Sequence, residues 1–285
     1  MENTTSRIKH KANGGCWMSE DKMMPSFDGT QLFTRRDQAE KQKAAIVIAH
    51  GLAEHLERYD VLAKTLVDHG FTVYRYEQRG HARSEGKRTF FNDFNEMPDD
   101  LKTIMDWAKE ENPEQPVFLI GHSMGGFTAA AYATKYPGKT GGVILSGALT
   151  RYNNELFGPL PLDLPADTYL DNELGEGVCS DPEVVKAYEA DPLVEKKISV
   201  GLINEFAPGI AWLKEKAANF TDPVLVLHGN EDGLVAEKDS RDFYGEIGSK
   251  DKTLKIYASL MHEIFNEPSK DKIYEEMIAW MEERL

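Results

Sequence analysis

The amino-acid sequence predicts an α/β fold, with a mostly parallel central sheet flanked by helices and an inserted, mainly helical cap. Three observations lead to this prediction: short apolar runs rich in β-branched residues, helical patterns between them, and one long stretch where the alternation stops. Strands that alternate with helices form a parallel sheet, because each helix carries the chain back to the starting edge. The 285 residues suffice for one such domain with an insertion.

The regular elements can be assigned in chain order from these patterns. A hairpin is expected first, because Asp28-Gly29 is flanked by strand patterns at 23–27 and 31–35 and therefore predicts an antiparallel edge. The apolar runs predicted as parallel strands are 45–49, 71–76, 117–120, 142–145, 224–228 and 254–257. The segments with apolar residues at helical spacing are 59–68, 99–110, 127–135, 240–247 and 270–283.

The alternation stops between residues 149 and 219, where prolines interrupt mixed apolar and acidic residues. A stretch of this length is too long for a simple loop, and the α/β pattern resumes directly after it. We therefore expect residues 149–219 to be an inserted cap over the carboxyl ends of the strands, where open α/β sheets bind ligands. Residues 23–148 and 220–285 are then the core, and residues 1–22 are expected to be a flexible extension.

Composition excludes several classes of function. The formal net charge is −15, with an isoelectric point near 5.0, so the surface repels phosphate backbones and nucleic acid partners are not expected. No apolar run approaches the roughly 18 residues of a transmembrane helix, and the first residues lack the apolar region of a signal peptide. We expect a cytoplasmic protein. Cys16 and Cys179 lie far apart and outside any metal-ligand pattern, so neither a metal nor a cofactor is expected.

Gly121-His122-Ser123-Met124-Gly125-Gly126 is the most informative segment of the chain. This G-x-S-x-G motif lies between a predicted strand and a predicted helix, which is the setting of a nucleophile elbow. Small residues are needed two positions before and after the serine because the turn is tight. The pattern predicts Ser123 as a nucleophile and the N–H of Met124 as a donor to a developing oxyanion.

A serine nucleophile needs a base, and the base is most often a histidine oriented by a carboxylate. His262 follows the last predicted strand, where the Ser, acid, His chain order places the base. Asp232 follows the preceding strand and is the favoured acid, with its neighbour Glu231 as the alternative. His122 is expected to pack beneath the elbow, and His50 and His228 to have structural roles at the ends of their strands.

The second oxyanion donor is expected in the loop after the first parallel strand, His50-Gly51-Leu52-Ala53-Glu54-His55, where we predict the N–H of Leu52. The spacing of Glu54, His55 and Arg58 fits no zinc motif and indicates a network that braces this loop. Several apolar residues of the cap are candidates either for the acyl pocket or for packing against the core: Leu156, Phe157, Leu160, Leu202, Ile203 and Phe206.

From about Pro25 onward the chain resembles the monoacylglycerol lipases and lysophospholipases of the α/β-hydrolase superfamily, which are grouped near the S33 aminopeptidases. The matching motifs are His50-Gly51-x-x-Glu54-His55, Arg79-Gly80-His81-x-x-Ser84, Gly121-His122-Ser123-Met124-Gly125-Gly126, His228-Gly229-x-x-Asp232 and His262-Glu263-Ile264-Phe265-Asn266. The resemblance implies hydrolysis of small or single-chain acyl esters by Ser123, Asp232 and His262, with Leu52 and Met124 as oxyanion donors.

The chain also departs from this family. Ala82 stands where the family has the last glycine of Arg-Gly-His-Gly, and the cap carries charged residues such as Arg151, Asp163 and Glu173. These features keep esterases for short-chain or aromatic, feruloyl-type esters as an alternative. An S33-like peptidase and a non-catalytic, hydrolase-like receptor are further alternatives. Acyl-chain length, headgroup preference and oligomeric state are not determined by the sequence.

Overall fold

The computed structural model describes residues 6–12 and 15–285, and their side chains from Met18 onward. Nine strands form one sheet in the order β1-β2-β3-β5-β4-β6-β7-β10-β11, and β8 pairs with β9 apart from it. The strands are β1 (Ser6–Ala12), β2 (Gly15–Pro25), β3 (Gln31–Gln38), β4 (Ala44–Ala49), β5 (Phe71–Tyr76), β6 (Val117–His122), β7 (Gly142–Ser146), β8 (Tyr169–Asp171), β9 (Lys197–Ser199), β10 (Val224–Gly229) and β11 (Lys252–Tyr257).

Six neighbouring strands, β5-β4-β6-β7-β10-β11, pair in parallel. The strands β1, β2 and β3 extend the sheet at the β5 edge, where the pairing is antiparallel. Each of these six strands falls on an apolar run predicted from the sequence, so the mostly parallel sheet is confirmed. The predicted hairpin is also confirmed, because β2 and β3 pair antiparallel around the turn at Asp28-Gly29.

The seven helices of the described chain are α1 (Asp60–Asp68), α2 (Glu96–Glu111), α3 (Met124–Lys135), α4 (Pro182–Ala190), α5 (Val200–Glu215), α6 (Glu237–Glu246) and α7 (Lys270–Glu282). They cover both faces of the sheet. Alternate residues of β4 point to opposite sides: Ile46 belongs to the apolar cluster with α1 and α7, and Val47 to the cluster with α2, α3 and α5. Within the described residues, no helix has the length and apolar composition needed to cross a membrane.

The amino-terminal segment differs from the sequence prediction. The apolar patterns predict no strand before Met23, whereas β1 and most of β2 lie within residues 1–22. Residues 1–5 and 13–14 of that predicted extension lie outside the described residues. From Ser19 to Lys22 the side chains of β2 are polar and give no alternation of apolar and polar residues, and two of them pair with β3: Asp21 with Arg35, and Ser19 with Asp37.

Residues 149–219, predicted as the cap, leave the sheet between β7 and β10. This segment contains the small β8–β9 sheet and the helices α4 and α5. α4 begins at Pro182, with Asp181 as a side-chain cap that accepts from the N–H of Glu183, and Ser199 caps α5 in the same way. The segment returns to the core at Phe220, which is fully buried.

Candidate active site

Ser123 lies in the tight turn between β6 and α3. Its backbone has φ 55° and ψ −119°, a conformation that side-chain-bearing residues rarely adopt and that commonly marks functional positions. The flanking glycines permit the turn. A Cβ at Gly121 would lie 2.3 Å from the carbonyl oxygen of Gly125, and a Cβ at Gly125 would lie 2.1 Å from that of Ala49. The geometry is therefore that of the predicted elbow, with Ser123 at the amino terminus of α3.

Asp232 and His262 come together from the loops after β10 and β11. The Nδ1 atom of His262 lies 2.7 Å from Oδ2 of Asp232, and the side chains are 5% and 1% exposed. The other carboxylate oxygen, Oδ1, accepts from the N–H groups of Leu234 and Val235, each at 2.9 Å. The loop backbone thus aims the carboxylate at His262. Glu231, the alternative acid, is exposed.

For Asp232 and His262, the attraction between opposite charges changes the pKa values more than burial does. Burial alone would raise the pKa of Asp232, but the interactions with His262 and His228 hold it well below its usual value. Burial alone would lower the pKa of His262, but the charge and hydrogen bond of Asp232 raise it above 6.5. Asp232 therefore stays ionised, and it favours the protonated imidazole that forms when His262 accepts a proton.

His122 lies beneath the elbow, as the sequence predicts. Its ring is 4.5 Å from that of His262, and its Nδ1 is 3.1 Å from the carbonyl oxygen of Ser146. Burial, followed by the positive charge of His262, lowers the pKa of His122 to about 3. His122 is consequently neutral near pH 7 and does not compete with His262 as a base.

The predicted oxyanion donors flank the serine. Met124 is the first residue of α3, so its N–H has no acceptor within the helix. A Cβ at Gly51, next to Leu52, would lie 3.1 Å from Cβ of Ser123, which places this loop against the elbow. Within the described chain, neither N–H donates to a protein acceptor. Both remain available to a substrate oxygen.

Ser123 and His262 line one cleft. Its other walls are mostly apolar and aromatic, and several come from residues 149–219: Leu149, Tyr152, Leu156, Phe157, Leu174, Val178, Tyr188 and Phe206. Of the candidate pocket residues, Leu156, Phe157 and Phe206 line the cleft, whereas Leu202 and Ile203 are buried in the core. No hydrogen bond joins the Ser123 hydroxyl to His262 in the described part of the chain; such contacts often tighten only around a bound substrate.

A buried ionic network lies beside the cleft and braces the predicted oxyanion loop. Arg58 binds Oε2 of Glu54 at 2.9 Å and Oε1 of Glu263 at 2.6 Å. The other oxygen of Glu54 accepts from Tyr59 and from the N–H of Gly51. Burial acts to raise the pKa of Glu54, but Arg58 and neighbouring histidines hold it at about 2. Arg58 thereby links the loop after β4 to the loop that carries His262.

The sequence does not predict two of these contacts. It places Arg58 in the bracing network without its partner Glu263, which is distant along the chain. It indicates only a structural role for His228, whose Nε2 lies 3.0 Å from Oδ2 of Asp232. The one available signal is the spacing His228-Gly229-x-x-Asp232, which places the histidine at a strand end, four residues before the proposed acid.

The chain is similar to known proteins over most of its length. The family model described as serine aminopeptidase, S33 matches residues 40–269. A monoacylglycerol lipase of Mycolicibacterium smegmatis is 34% identical over 250 residues, which cover 84% of this chain and 88% of that protein. The human monoglyceride lipase is 30% identical over 270 residues, which cover 90% of this chain and 88% of the human protein.

A solved structure is similar over the same extent. The monoacylglycerol lipase of Paleococcus ferrophilus has a TM-score of 0.77 and 28% identity to this chain, and the match covers 89% of this chain and 99% of that one. The α/β-hydrolase fold expected from the sequence is confirmed by this similarity.

Proposed function

The chain belongs to the serine aminopeptidase S33 family of α/β-hydrolases, together with monoacylglycerol lipases, and we propose that it hydrolyses small or single-chain acyl esters such as monoacylglycerols. The observation that carries this proposal is the convergence of three loops. Ser123, in a strained turn, shares an apolar cleft with His262, whose other side is held by buried Asp232. An apolar cleft with few polar groups suits an acyl chain that ends in one reactive carbonyl.

The proposed reaction is acyl transfer in two steps. Ser123 attacks the ester carbonyl while His262 takes the hydroxyl proton, and Asp232 keeps the imidazole oriented. The N–H groups of Leu52 and Met124 stabilise the tetrahedral oxyanion. His262 then gives its proton to the departing alcohol, and water attacks the acyl-enzyme by the same route to release the acid.

The cap belongs to the same proposal. We infer that residues 149–219 are the cap and that residues 23–148 and 220–285 form the hydrolase core. Support comes from the cleft, where Ser123 and His262 of the core face Leu156 and Phe206 of the inserted segment. The substrate's acyl chain would therefore lie between the two parts.

The decisive experiment replaces the nucleophile. We expect Ser123→Ala to lower the turnover of a p-nitrophenyl ester about 10⁴-fold or more, because the triad acts as a unit. Labelling by a fluorophosphonate probe should disappear in the same variant. Ser249→Ala, whose hydroxyl donates to the carbonyl of Asp251 away from the cleft, serves as the matched control. Near-normal turnover by Ser123→Ala would refute the mechanism.

Esters with aromatic acids are the second candidate substrates. Four aromatic side chains line the cleft, Tyr152, Phe157, Tyr188 and Phe206, and can stack on a planar acid. A chain-length series of p-nitrophenyl esters, assayed beside monoacylglycerols and feruloyl esters, separates the two. Higher kcat/KM for the feruloyl ester would favour the aromatic class.

Peptide cleavage is less favoured by the charges in the cleft. A free amino terminus needs an unpaired acidic group near Ser123, but the acidic residues that line the cleft, Glu54 and Glu263, both bind Arg58. Aminoacyl nitroanilides assayed at the same enzyme concentration test this alternative. Fluorophosphonate labelling also distinguishes either enzyme from a non-catalytic receptor, which would not react.

A further inference from the structure

A second histidine touches the acid of the proposed triad. His228 is the fifth residue of β10, and its side chain is fully buried. Its Nε2 lies 3.0 Å from Oδ2 of Asp232, the same oxygen that His262 Nδ1 approaches to 2.7 Å. His228 and His262 thus approach the same carboxylate oxygen.

The neighbours of His228 determine where its proton lies. The Nε2 atom is also 3.0 Å from the carbonyl oxygen of Val235, and a carbonyl oxygen can only accept a hydrogen bond. Nε2 must therefore carry a hydrogen, which is directed at Val235 and places the positive end of the N–H bond 3.0 Å or less from Oδ2 of Asp232. On the other side of the ring, Nδ1 is 2.7 Å from the hydroxyl of Ser240, which holds the ring in place.

The carboxylate of Asp232 consequently has four nitrogen neighbours. Oδ1 accepts from the N–H groups of Leu234 and Val235, and Oδ2 lies 2.7 Å from Nδ1 of His262 and 3.0 Å from Nε2 of His228. Of these four neighbours, only His262 changes its bonding during the proposed reaction. The other three determine the direction of the carboxylate.

We propose that His228 is a positioning residue of the ester-hydrolysis reaction, which orients Asp232 and limits how strongly it holds the protonated His262. The inference rests on the proposed function. Without His228, the Asp232 carboxylate loses one of the contacts that set its direction, and its negative charge beside His262 is less satisfied. The remaining negative charge then attracts the imidazolium of His262 more strongly, so more alkaline pH is needed to free the base.

Three variants test the proposal. His228→Phe removes the donor and keeps a ring of similar shape, whereas His228→Gln retains an N–H near the position of Nε2. Ser240→Ala removes the contact that holds the ring. His81→Phe is the matched control, since His81 is fully buried and donates to the carbonyl of Arg79 rather than to the triad.

The kinetic readout is kcat per active site, counted by fluorophosphonate titration, together with the pH profile of kcat/KM. We expect His228→Phe to lower kcat about 10- to 100-fold, the effect of losing one hydrogen bond to a charged group, with KM within about twofold. In the pH profile of kcat/KM for His228→Phe, the acid limb should move to higher pH by about half a unit or more. His228→Gln should recover most of the kcat, and Ser240→Ala should show a smaller loss.

Other ionisable groups around these histidines stay unchanged in the variants. His262 is also faced by His122, Glu54 and Glu263, and His228 by Asp239. An altered acid limb in His228→Phe is therefore assigned to the contact with Asp232. If the acid limb of His228→Phe stays at the wild-type pH, or if its kcat per active site is within twofold of the wild-type value, the proposal is overturned.

A spectroscopic measurement separates this inference from the choice of substrate. The proton between Asp232 and His262 Nδ1 should give a far-downfield proton NMR resonance in the wild type and in His228→Gln, and a displaced or missing one in folded His228→Phe. If the resonance is unchanged in His228→Phe, the positioning role is wrong. If no ester is hydrolysed by the wild type, the proposed function is wrong instead, whatever the resonance shows.

Discussion

Asp232 and Glu231 are adjacent carboxylates with opposite surroundings. The Asp232 side chain is 1% exposed and bound by two histidines, whereas Glu231 is exposed to solvent. A buried carboxylate with every lone pair satisfied keeps a fixed direction, and an exposed one does not. Position within the loop, rather than residue type, therefore distinguishes the two candidates for the acid.

We expect Asp232→Asn to lower kcat about 10²- to 10⁴-fold, because an amide cannot stabilise the imidazolium of His262 and favours the wrong tautomer. Glu231→Gln is the matched control and should change kcat less than about twofold. Steady-state hydrolysis of a p-nitrophenyl ester checks both. The reverse ranking would assign the acid to Glu231.

In the proposed mechanism His262 must be neutral to accept the proton of Ser123, and this requirement determines the pH dependence. Its pKa lies above 6.5, because the stabilisation of the imidazolium by Asp232 exceeds the opposing effect of burial. Since the protonated form is inactive, kcat/KM should fall as the pH decreases through this raised pKa. A pH profile of the wild type measures the midpoint, and a midpoint below about 6 would contradict the assignment.

Among the secondary-structure elements, α3 and β4 hold the reacting groups together. The start of α3 packs so closely on the end of β4 that a Cβ at Gly125 would lie 2.1 Å from the carbonyl oxygen of Ala49. Ser123 and Met124 belong to this helix start, and Leu52 follows the end of β4. The distance between the proposed nucleophile and the proposed oxyanion donor Leu52 therefore depends on this backbone contact.

We expect Gly125→Ala to destabilise the protein by about 1–3 kcal/mol, since a methyl group must displace backbone atoms. kcat should fall as well, because α3 moves relative to Leu52. Gly245→Ala in α6 is the matched control: no atom lies within 4 Å of its added Cβ, and it should stabilise by up to about 1 kcal/mol. Urea unfolding measures both, and equal effects would contradict the packing argument.

In the whole molecule, Arg58 connects parts of the chain that are far apart in sequence. Its guanidinium bridges Glu54, in the loop after β4, and Glu263, which is 205 residues away in the loop after β11. Both carboxylates are at least 95% buried. The two segments proposed as the core thus share a buried ionic contact, which joins the loop of the proposed oxyanion donor Leu52 to the loop of the proposed base His262.

We expect Arg58→Met to lower the free energy of unfolding by about 3–5 kcal/mol at pH 7, because two buried carboxylates lose their partner. Burial already raises the pKa of Glu263. A carboxyl with a raised folded-state pKa takes up its proton more readily when folded, so the deficit should shrink as the pH falls towards 5. Urea unfolding at both pH values measures this.

Arg241→Met is the control for that experiment, since its contact with Glu237 lies on an exposed helix surface. Its removal should cost about 0.5 kcal/mol or less at either pH. Equal losses for the two arginines would show that burial of the Arg58 network does not contribute to stability.

Much of the architecture was predictable because it depends on local periodicity. Apolar runs such as 117–120 and helical patterns such as 270–283 identify their elements, since a buried strand and an amphipathic helix each need a particular spacing. β1 and the first part of β2 were not predicted. Their pairing depends on polar partners such as Asp21 and Arg35, which have no periodic signature.

The sequence by itself determined the order of strands and helices and the candidates Ser123, Asp232 and His262, because short motifs at strand ends carry that information. Only the tertiary structure decided which side chains meet: His228 with Asp232, and Arg58 with Glu263. The physical reason is that hydrogen bonds and ion pairs depend on distance and direction. Those are set when distant segments pack against each other, not by the spacing of residues along the chain.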